Sequence, residues 1–231
     1  MEAYLNSPLF GVTITIVTFL IGSYINKKTK MAILNPILLS AFAIIFVLNR
    51  FDIDYETYNL GGRLISFFIA PATVALAVPL YKNIRLLRKK WLPILIGITV
   101  GSLAGLVVIF VLCKLLGIDR TMLISLLPKS TTAAISMEIS KQIGGIPYLS
   151  VVFTAVTGIS GNILGEYVFR IFKINDKVSR GVSLGTASHV LGTAKAMEMG
   201  ETEGALSSLS ITVAGIISVF LIPWFMNLIG I

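Results

Sequence analysis

The stretch Leu123 to Pro147, LISLLPKSTTAAISMEISKQIGGIP, decides the fold that is predicted for this chain. It lies between long apolar runs, yet it contains Pro128, the three consecutive hydroxyl residues Ser130, Thr131 and Thr132, and several charged side chains. In hydrocarbon, backbone that is broken by proline and flanked by polar groups is tolerated only inside protein or along a water-filled cavity. The stretch is therefore predicted to be a re-entrant segment that lines a cavity. A short amphipathic helix in a water-exposed loop is the alternative interpretation.

The residues after Pro128 also predict the start of a helix. Ser130, Thr131 and Thr132 carry hydroxyls, which accept hydrogen bonds from the free N–H groups of a first helical turn. A helix N-terminus carries about half a positive elementary charge, and in broken-helix transporters such ends point at anions. Lys129 adds a full positive charge at the same place. The segment is thus predicted to bind an anion.

The composition of the whole chain is that of a membrane protein. Of its 231 residues, 55% are hydrophobic and 13% are charged, whereas soluble domains contain about 25% charged residues. Apolar runs of about 20 residues without period-two alternation indicate helices rather than a barrel. We therefore predict an all-α, polytopic protein that forms a single integral membrane domain over residues 1–231, with halves at about 1–113 and 121–231.

About seven transmembrane helices are predicted, together with one or two broken or re-entrant segments. The spans named from the apolar runs cover residues 9–25, 33–48, 63–81, 91–112, 148–172 and 206–228. Residues 181–204 form a second interrupted segment, rich in glycine and hydroxyls. Residues 64–84 align weakly with residues 123–143, which favours an internal repeat, although chance similarity between apolar segments explains the same identities.

Three glycines in the span at 91–112 follow a helical spacing. Gly97, Gly101 and Gly105 recur every four residues, and small residues at this spacing allow two helices to approach closely. The sequence therefore predicts a helix-packing seam on this face.

Charge clusters predict the orientation of the chain. The net charge of +8 is distributed as short Lys and Arg clusters beside apolar spans, which is typical of cytoplasmic loops that contact anionic lipid and not of nucleic-acid-binding proteins. If the clusters at 82–90 and 173–180 are both cytoplasmic, the central stretch must enter and leave on the outer face. The N-terminus is then outside, Lys129 lies in an outward cavity, and the acidic end of the second interrupted segment lies outside as well.

No catalytic constellation is visible, so an enzyme is not predicted. Ser188 and His189 are neighbours in sequence and would not face one another on a helix. Neither a GxSxG nor an HExxH motif occurs. Cys113 is the single cysteine and lies in an apolar run, so it is interpreted as a packing residue. Neither a metal nor a cofactor is predicted.

Ionisable groups between apolar spans are better candidates for function, because charge is costly in lipid. Glu138, Glu166 and His189 are predicted as candidates for carrying a coupling proton. Each has a structural alternative that the sequence leaves open. Glu138 can pair with Lys141 on a surface, Glu166 can lie at the interface beside the basic loop, and His189 can be a hydrogen-bonded packing residue.

The two interrupted segments together predict a cradle for a small carboxylate. Lone positive charges stand in each of them, at Lys129 and Lys195, beside several hydroxyls. Helix ends and hydroxyls bind oxyanions with modest specificity. The predicted substrate-binding residues are Lys129, Ser130, Thr131, Thr132, Thr186, Ser188, His189 and Thr193.

Several of these stretches resemble one known family. The runs SLLPKSTTAAISMEISKQIGGIP, GTASHVLGT and GETEGALSSLS closely resemble the LrgB/CidB family of bacterial membrane proteins, and the likeness extends over nearly the whole chain. The resemblance implies a multi-pass protein of the bacterial cytoplasmic (inner) membrane. It also implies antiholin-like control of murein hydrolase activity and cell lysis, beside a small membrane partner of the LrgA/CidA type. The plastidial glycolate/glycerate transporter and bacterial pyruvate uptake systems are related to this family.

We therefore expect a transporter of small monocarboxylates of the pyruvate/glycolate class. The alternative is a holin-like or antiholin-like channel, or a lesion-forming component that regulates autolysis. A carrier needs a binding site near the middle of the membrane, and two polar, broken segments are suited to build one. Homo-oligomerisation is a further expectation.

Overall fold

A computed structural model describes residues 7–29, 34–68, 71, 74, 77–82 and 84–231. Every regular element in these ranges is helical. The contacts within the chain divide it into two compact units, Met1–Ala75 and Leu76–Ile231, and each unit is described by itself.

The described part of the first unit contains three helices, which pack through small and hydroxyl side chains. Helix α1 is Pro8–Thr29, α2 is Pro36–Arg50 and α3 is Tyr55–Phe67. Thr18 of α1 shares a hydrogen bond of 2.8 Å with Ser40 of α2. The predicted span at 63–81 and the first copy of the weak repeat fall partly outside the described residues, so neither the span nor the repeat is established.

The second unit contains the interrupted stretches. Its helices are α4 Ala77–Lys82, α5 Ile84–Leu115, α6 Arg120–Leu126, α7 Ala133–Ile143, α8 Pro147–Ile171, α9 Lys177–Met199 and α10 Glu201–Ile229, with a 3₁₀ turn at Leu127–Ser130 between α6 and α7. Helix α5 is kinked at Lys90, three residues before Pro93. The kink is expected there because proline lacks the backbone N–H that would bond to the preceding turn.

Among the described residues, four helices are long and apolar enough to cross a membrane: Pro8–Thr29, Arg88–Leu115, Pro147–Ile171 and Glu201–Ile229. Pro36–Arg50 is a shorter apolar helix. The prediction of an all-α, multi-pass membrane protein is confirmed at this level, whereas the described residues do not establish seven spans.

The central stretch folds back on itself as a helical hairpin. Ser150 of α8 donates to the Ser125 carbonyl of α6 at 2.7 Å and to the Ser140 hydroxyl of α7 at the same distance. In a continuous helix Ser125 and Ser140 would lie about 22 Å apart, at 1.5 Å per residue. The chain must therefore reverse between them, as expected for a re-entrant segment. We call α6, the 3₁₀ turn and α7 the first hairpin.

The reversal of the first hairpin follows from its sequence. Pro128 lies in the 3₁₀ turn, Thr131 is extended, and Thr132 caps α7 by accepting from Ile135 N at 3.4 Å. The predicted helix start is thus confirmed. At its far end α7 stops at Gly144, whose φ of 81° is readily adopted only by glycine.

Helix α9 is a second hairpin, because it breaks at His189, where φ is 42° and ψ is −129°. Ser207 of α10 shares a hydrogen bond of 2.7 Å with Thr193, and its backbone also lies against Gly185. A continuous helix would place these two residues of α9 about 12 Å apart. The second hairpin therefore has one arm before His189 and one after it, and both arms lie along α10.

Both arms of the second hairpin end at the same end of the unit, where the basic residues collect. Asp176 lies 3.9 Å from Lys90, and Glu201, two residues after the second arm, pairs with Lys82 at 2.9 Å. We call this the basic end. The acidic end of residues 181–204 thus lies at the same end of the unit as the basic clusters, so the predictions that place the acidic end outside and the basic clusters in the cytoplasm exclude each other.

A buried apolar cluster, which we call the plug, lies on the side of the second unit away from the basic end. It joins α5, the first hairpin and α10, and it contains Leu106, Ile109, Cys113, Leu123, Ile124, Leu127, Ile139, Ile222, Phe225 and Met226. Cys113 is buried within it, as expected for a packing residue.

Candidate functional site

A cavity of about 860 Å³ lies between α5, α8, the first arm of α9 and the 3₁₀ turn. Lys90 and Asp176 border it at the basic end, and Leu127 and Ile222 of the plug border it at depth. The cavity thus extends from the basic end to the turns of both hairpins. The prediction of an outward cavity is contradicted if the basic end is cytoplasmic, as the charge clusters indicate.

Asp176 stabilises the start of α9 at this entrance. Its carboxylate accepts from Ser179 N at 2.9 Å and from the Ser179 hydroxyl at 2.8 Å. The backbone and side-chain hydrogen bonds from Ser179 are the main reason that the pKa of Asp176 lies below its ordinary value. The entrance therefore carries a fixed ion pair between α5 and α9.

Five predicted substrate-binding residues line the cavity where the two hairpins meet. They are Lys129, Ser130, Thr131, Thr186 and Ser188. Lys129 is half-buried, and its ammonium group donates to the Ser130 hydroxyl at 3.3 Å. Among the described residues, the ion pairs involve other cations and none includes Lys129. The positive charge of Lys129 thus faces the cavity without a carboxylate counterion.

Thr186 lines the same cavity, but its hydroxyl oxygen is enclosed by protein. The side chain is buried, with 7% exposed, and the hydroxyl has no hydrogen-bond partner in the described part of the chain. A buried hydroxyl without a partner costs roughly 1 to 3 kcal/mol. A ligand in the cavity offsets this cost only if the side chain turns its hydroxyl toward it.

Three predicted binding residues do not line the cavity, and their polar atoms are used elsewhere. Thr132 caps α7, and Thr193 joins the second arm of α9 to Ser207. His189 donates from Nε2 to the Thr154 carbonyl at 2.9 Å and packs against Gly158. The assignment of these three to substrate binding stays a prediction, without support from the position of their side chains.

The proton-coupling candidates also lie away from the cavity. Glu138 is exposed on α7 and accepts from Gln142 at 3.1 Å. Glu166 pairs with Arg170 at 2.7 Å and with Lys195 at 3.4 Å. His189 has the packing role that the sequence left open. Their part in proton coupling stays a prediction, without support from their position.

The three glycines of α5 do not form the helix-packing seam that the sequence predicts. A Cβ at Gly97 would lie 3.9 Å from Val182, one at Gly101 would lie 3.7 Å from Thr186, and one at Gly105 would meet nothing within 4 Å. All three line the cavity. The prediction of a tight packing seam is therefore wrong, since these glycines leave volume rather than allow close contact.

The close seam is formed by α8 instead. A Cβ at Gly158 would lie 2.5 Å from the His189 ring, one at Gly165 would lie 2.7 Å from Leu184, and one at Gly161 would collide with Ser188. The first arm of α9 therefore rests directly on the glycine face of α8, which fixes the position of Thr186 and Ser188.

Sequence reasoning missed several hydroxyl residues of the cavity wall. They are Ser102, Thr157, Ser160, Ser179, Ser183 and Ser218. A sequence signal for the missed residues was present in α8, where positions 157, 160, 161, 164, 165 and 168 share one helical face.

Within the described residues, no group of three His, Cys, Asp or Glu side chains could hold a metal ion.

Comparison with known proteins gives one consistent relationship. Two curated relatives, both called antiholin-like protein LrgB, come from Bacillus cereus (strain B4264) and Bacillus anthracis (strain A0248). Each is 39% identical to this chain over 228 residues, which cover 97% of the chain and 98% of the relative. No solved structure matches. The model of the LrgB-like family matches residues 15–228, and the chain therefore belongs to the LrgB-like family.

Proposed function

We propose that this protein is a carrier for small monocarboxylates of the pyruvate/glycolate class. One observation supports the proposal above all others: Lys129, which has no carboxylate counterion among the described residues, lines a cavity where two helical hairpins meet.

The chemistry of these groups fits a carboxylate. A cation without a counterion is costly in a weakly polar interior, and an anion that binds beside it removes that cost. The neighbouring hydroxyl of Ser130, which accepts from Lys129, is suited to donate its own proton to a carboxylate oxygen. A volume of about 860 Å³ lies in the range of small-molecule sites, about 300 to 1,000 Å³.

The arrangement also fits a transport cycle. The cavity reaches the basic end, while the plug closes its other side. Binding sites between discontinuous helices near the middle of the bilayer, exposed alternately to the two sides, are the usual design of secondary carriers. The proposed cycle opens the plug by moving the first hairpin, after the substrate has bound at Lys129.

The relatives are named as antiholin-like proteins, and the proposal accommodates such a role. Traffic of a small acid across the bacterial cytoplasmic membrane would alter the conditions under which murein hydrolases act, and so influence lysis. A small membrane protein of the LrgA/CidA type and a second copy of this chain are the proposed partners, and no enzymatic activity is proposed.

The test is uptake of labelled pyruvate and glycolate by proteoliposomes that contain the purified chain. Lys129→Met should reduce saturable uptake by at least about tenfold, because it removes the charge but keeps most of the side-chain volume. Lys141→Met is the matched control, since Lys141 is exposed on the same hairpin and does not line the cavity. Unselective dye leakage without saturable uptake would instead support the antiholin-like channel.

A further inference from the structure

The open space beside Gly105 arises because the first arm of α9 ends before it reaches this glycine. Gly97 faces Val182 and Gly101 faces Thr186, so each step of four residues along α5 is matched by a step of four along the first arm of α9. The next position in this register would face residue 190, but the arm ends at His189. Gly105 therefore faces the space beyond the end of the arm, and no atom lies within 4 Å of its Cβ position.

This space adjoins the groups that lack partners. Gly105 lines the same cavity as Lys129 and Thr186, and the Cβ position of Gly101, one turn before it, is 3.7 Å from the Thr186 methyl group. The Thr186 hydroxyl oxygen is enclosed by protein and has no hydrogen-bond partner among the described residues. The absent side chain of Gly105 therefore leaves room beside a ligand that binds at Lys129.

We propose that Gly105 determines the size of the substrate that the carrier accepts. Gly101, one turn before it, lines a narrower part of the same cavity. This inference rests on the proposed transport function and adds a specificity-determining residue to it. A larger side chain at 105 projects into the space that the chain of a longer or branched acid would occupy, whereas the carboxylate site at Lys129 stays unchanged.

The position is favourable for substitution because the fold does not depend on the missing side chain. A residue larger than glycine at 105 meets open space, and it raises the helix propensity of α5. By contrast, a Cβ at Gly161 or Gly165 collides with the first arm of α9. Loss of transport in a Gly105 variant can therefore be separated from loss of structure.

The experiment measures uptake of monocarboxylates with two to five carbon atoms by proteoliposomes containing Gly105→Ala, Gly105→Val or Gly105→Leu. Uptake of the longest acids should fall first, and the ratio of two-carbon to five-carbon uptake should rise by roughly tenfold or more in the Leu variant, as expected when a pocket loses the volume of several methylene groups. Val107→Leu, on an exposed position of the same helix outside the cavity lining, should keep the wild-type ratio. An unchanged ratio in a monodisperse Gly105→Leu protein would overturn the inference.

A second measurement separates failure of this inference from failure of the transport proposal. Gly105→Cys should react with a small charged methanethiosulfonate reagent, and pyruvate should slow the reaction, while the wild type with its buried Cys113 serves as the blank. Protection by pyruvate in a protein without saturable uptake would reject the carrier but keep Gly105 in the binding site. Saturable uptake without protection would reject the role of Gly105 alone, and the absence of both would reject both proposals.

Discussion

At the scale of single residues, Thr186 is unusual because its hydroxyl makes no hydrogen bond with any described residue. Its hydroxyl is buried without a partner, while the neighbouring Ser183 hydroxyl donates to the Ser179 carbonyl at 2.6 Å. A helical threonine commonly satisfies itself through such a bond to the preceding turn. Thr186 makes no such bond among the described residues, and its hydroxyl oxygen is enclosed by protein.

Thr186→Val should separate binding from stability. Valine has nearly the same shape, so removal of an unpartnered hydroxyl should leave the thermal midpoint unchanged or raise it, while the apparent affinity for the substrate falls about fivefold to tenfold. Uptake titrations and thermal unfolding in detergent measure the two effects. Thr186→Ser should keep affinity close to wild type, and a Val variant with wild-type affinity would show that the hydroxyl does not contact the substrate.

Five of the eight predicted binding residues line one cavity, whereas the direction of individual side chains is not predictable from the sequence. Lys129 and its adjacent hydroxyls were predicted because proline and polar residues are costly between apolar runs. His189 and Thr193 were assigned to the same site, since a sequence does not tell which side of a broken helix faces the cavity. The α5 glycines show the same limit, because small residues at helical spacing are compatible with close packing and with an open wall.

At the scale of helices, the reversal of α9 at His189 is the decisive feature. Proline and hydroxyls mark the first hairpin in the sequence, and its re-entrant course was predicted. The second reversal falls on a histidine whose positive φ is unusual for a residue other than glycine. It is held by a hydrogen bond to Thr154 and by packing on Gly158, which are long-range contacts that local sequence does not reveal.

A disulfide should test this reversal. Thr193→Cys combined with Ser207→Cys should form a disulfide on mild oxidation, because the two hydroxyl oxygens are 2.7 Å apart. Thr193→Cys with Gly215→Cys is the control, since a straight α9 would bring those two positions together instead. Gel mobility after protease cleavage between α9 and α10 measures both, and cross-linking of the control pair alone would contradict the second hairpin.

The cap of α9 gives a prediction about stability and pH. Asp176→Ala should destabilise the protein by about 1 kcal/mol, whereas Asp176→Asn should cost less, because asparagine also accepts from the first turn. Since the pKa of Asp176 is lowered in the folded protein from its ordinary 3.8, its contribution is present above that value and is lost as the pH falls through the folded pKa. Thermal unfolding between pH 8 and pH 5 should therefore show no change from this group, and a cap contribution that disappears in that range would contradict the assignment.

At the scale of the whole second unit, two hairpins enter from opposite ends and their turns line one cavity. The first opens toward the start of α8, away from the basic end, and the second opens toward Lys82 and Asp176. The crossing count from charge clusters predicts the course of the first hairpin. The acidic residues of the second segment favour the outer side, but Glu201 lies beside Lys82 at the basic end, and acidic residues carry little information about orientation.

Cysteine labelling in cells should establish the orientation. Lys173→Cys, in the basic-end loop, should react only with reagents that reach the cytoplasm, and Lys141→Cys only with reagents outside, since α7 ends at the opposite side. Lys129→Cys should react from the cytoplasmic side through the cavity. Exclusive reaction of Lys129→Cys from outside would show that the cavity or the orientation is reversed.

The plug has an electrical consequence. If water fills the cavity as far as Lys129, the insulating part of the protein is reduced to the layer formed by residues such as Leu127 and Ile222. The membrane voltage then falls mainly across that thin layer, where moving one elementary charge involves about 2.3 kcal/mol per 100 mV. A carboxylate anion that crosses the layer together with the Lys129 ammonium moves no net charge in that step. The membrane potential would therefore not oppose the step.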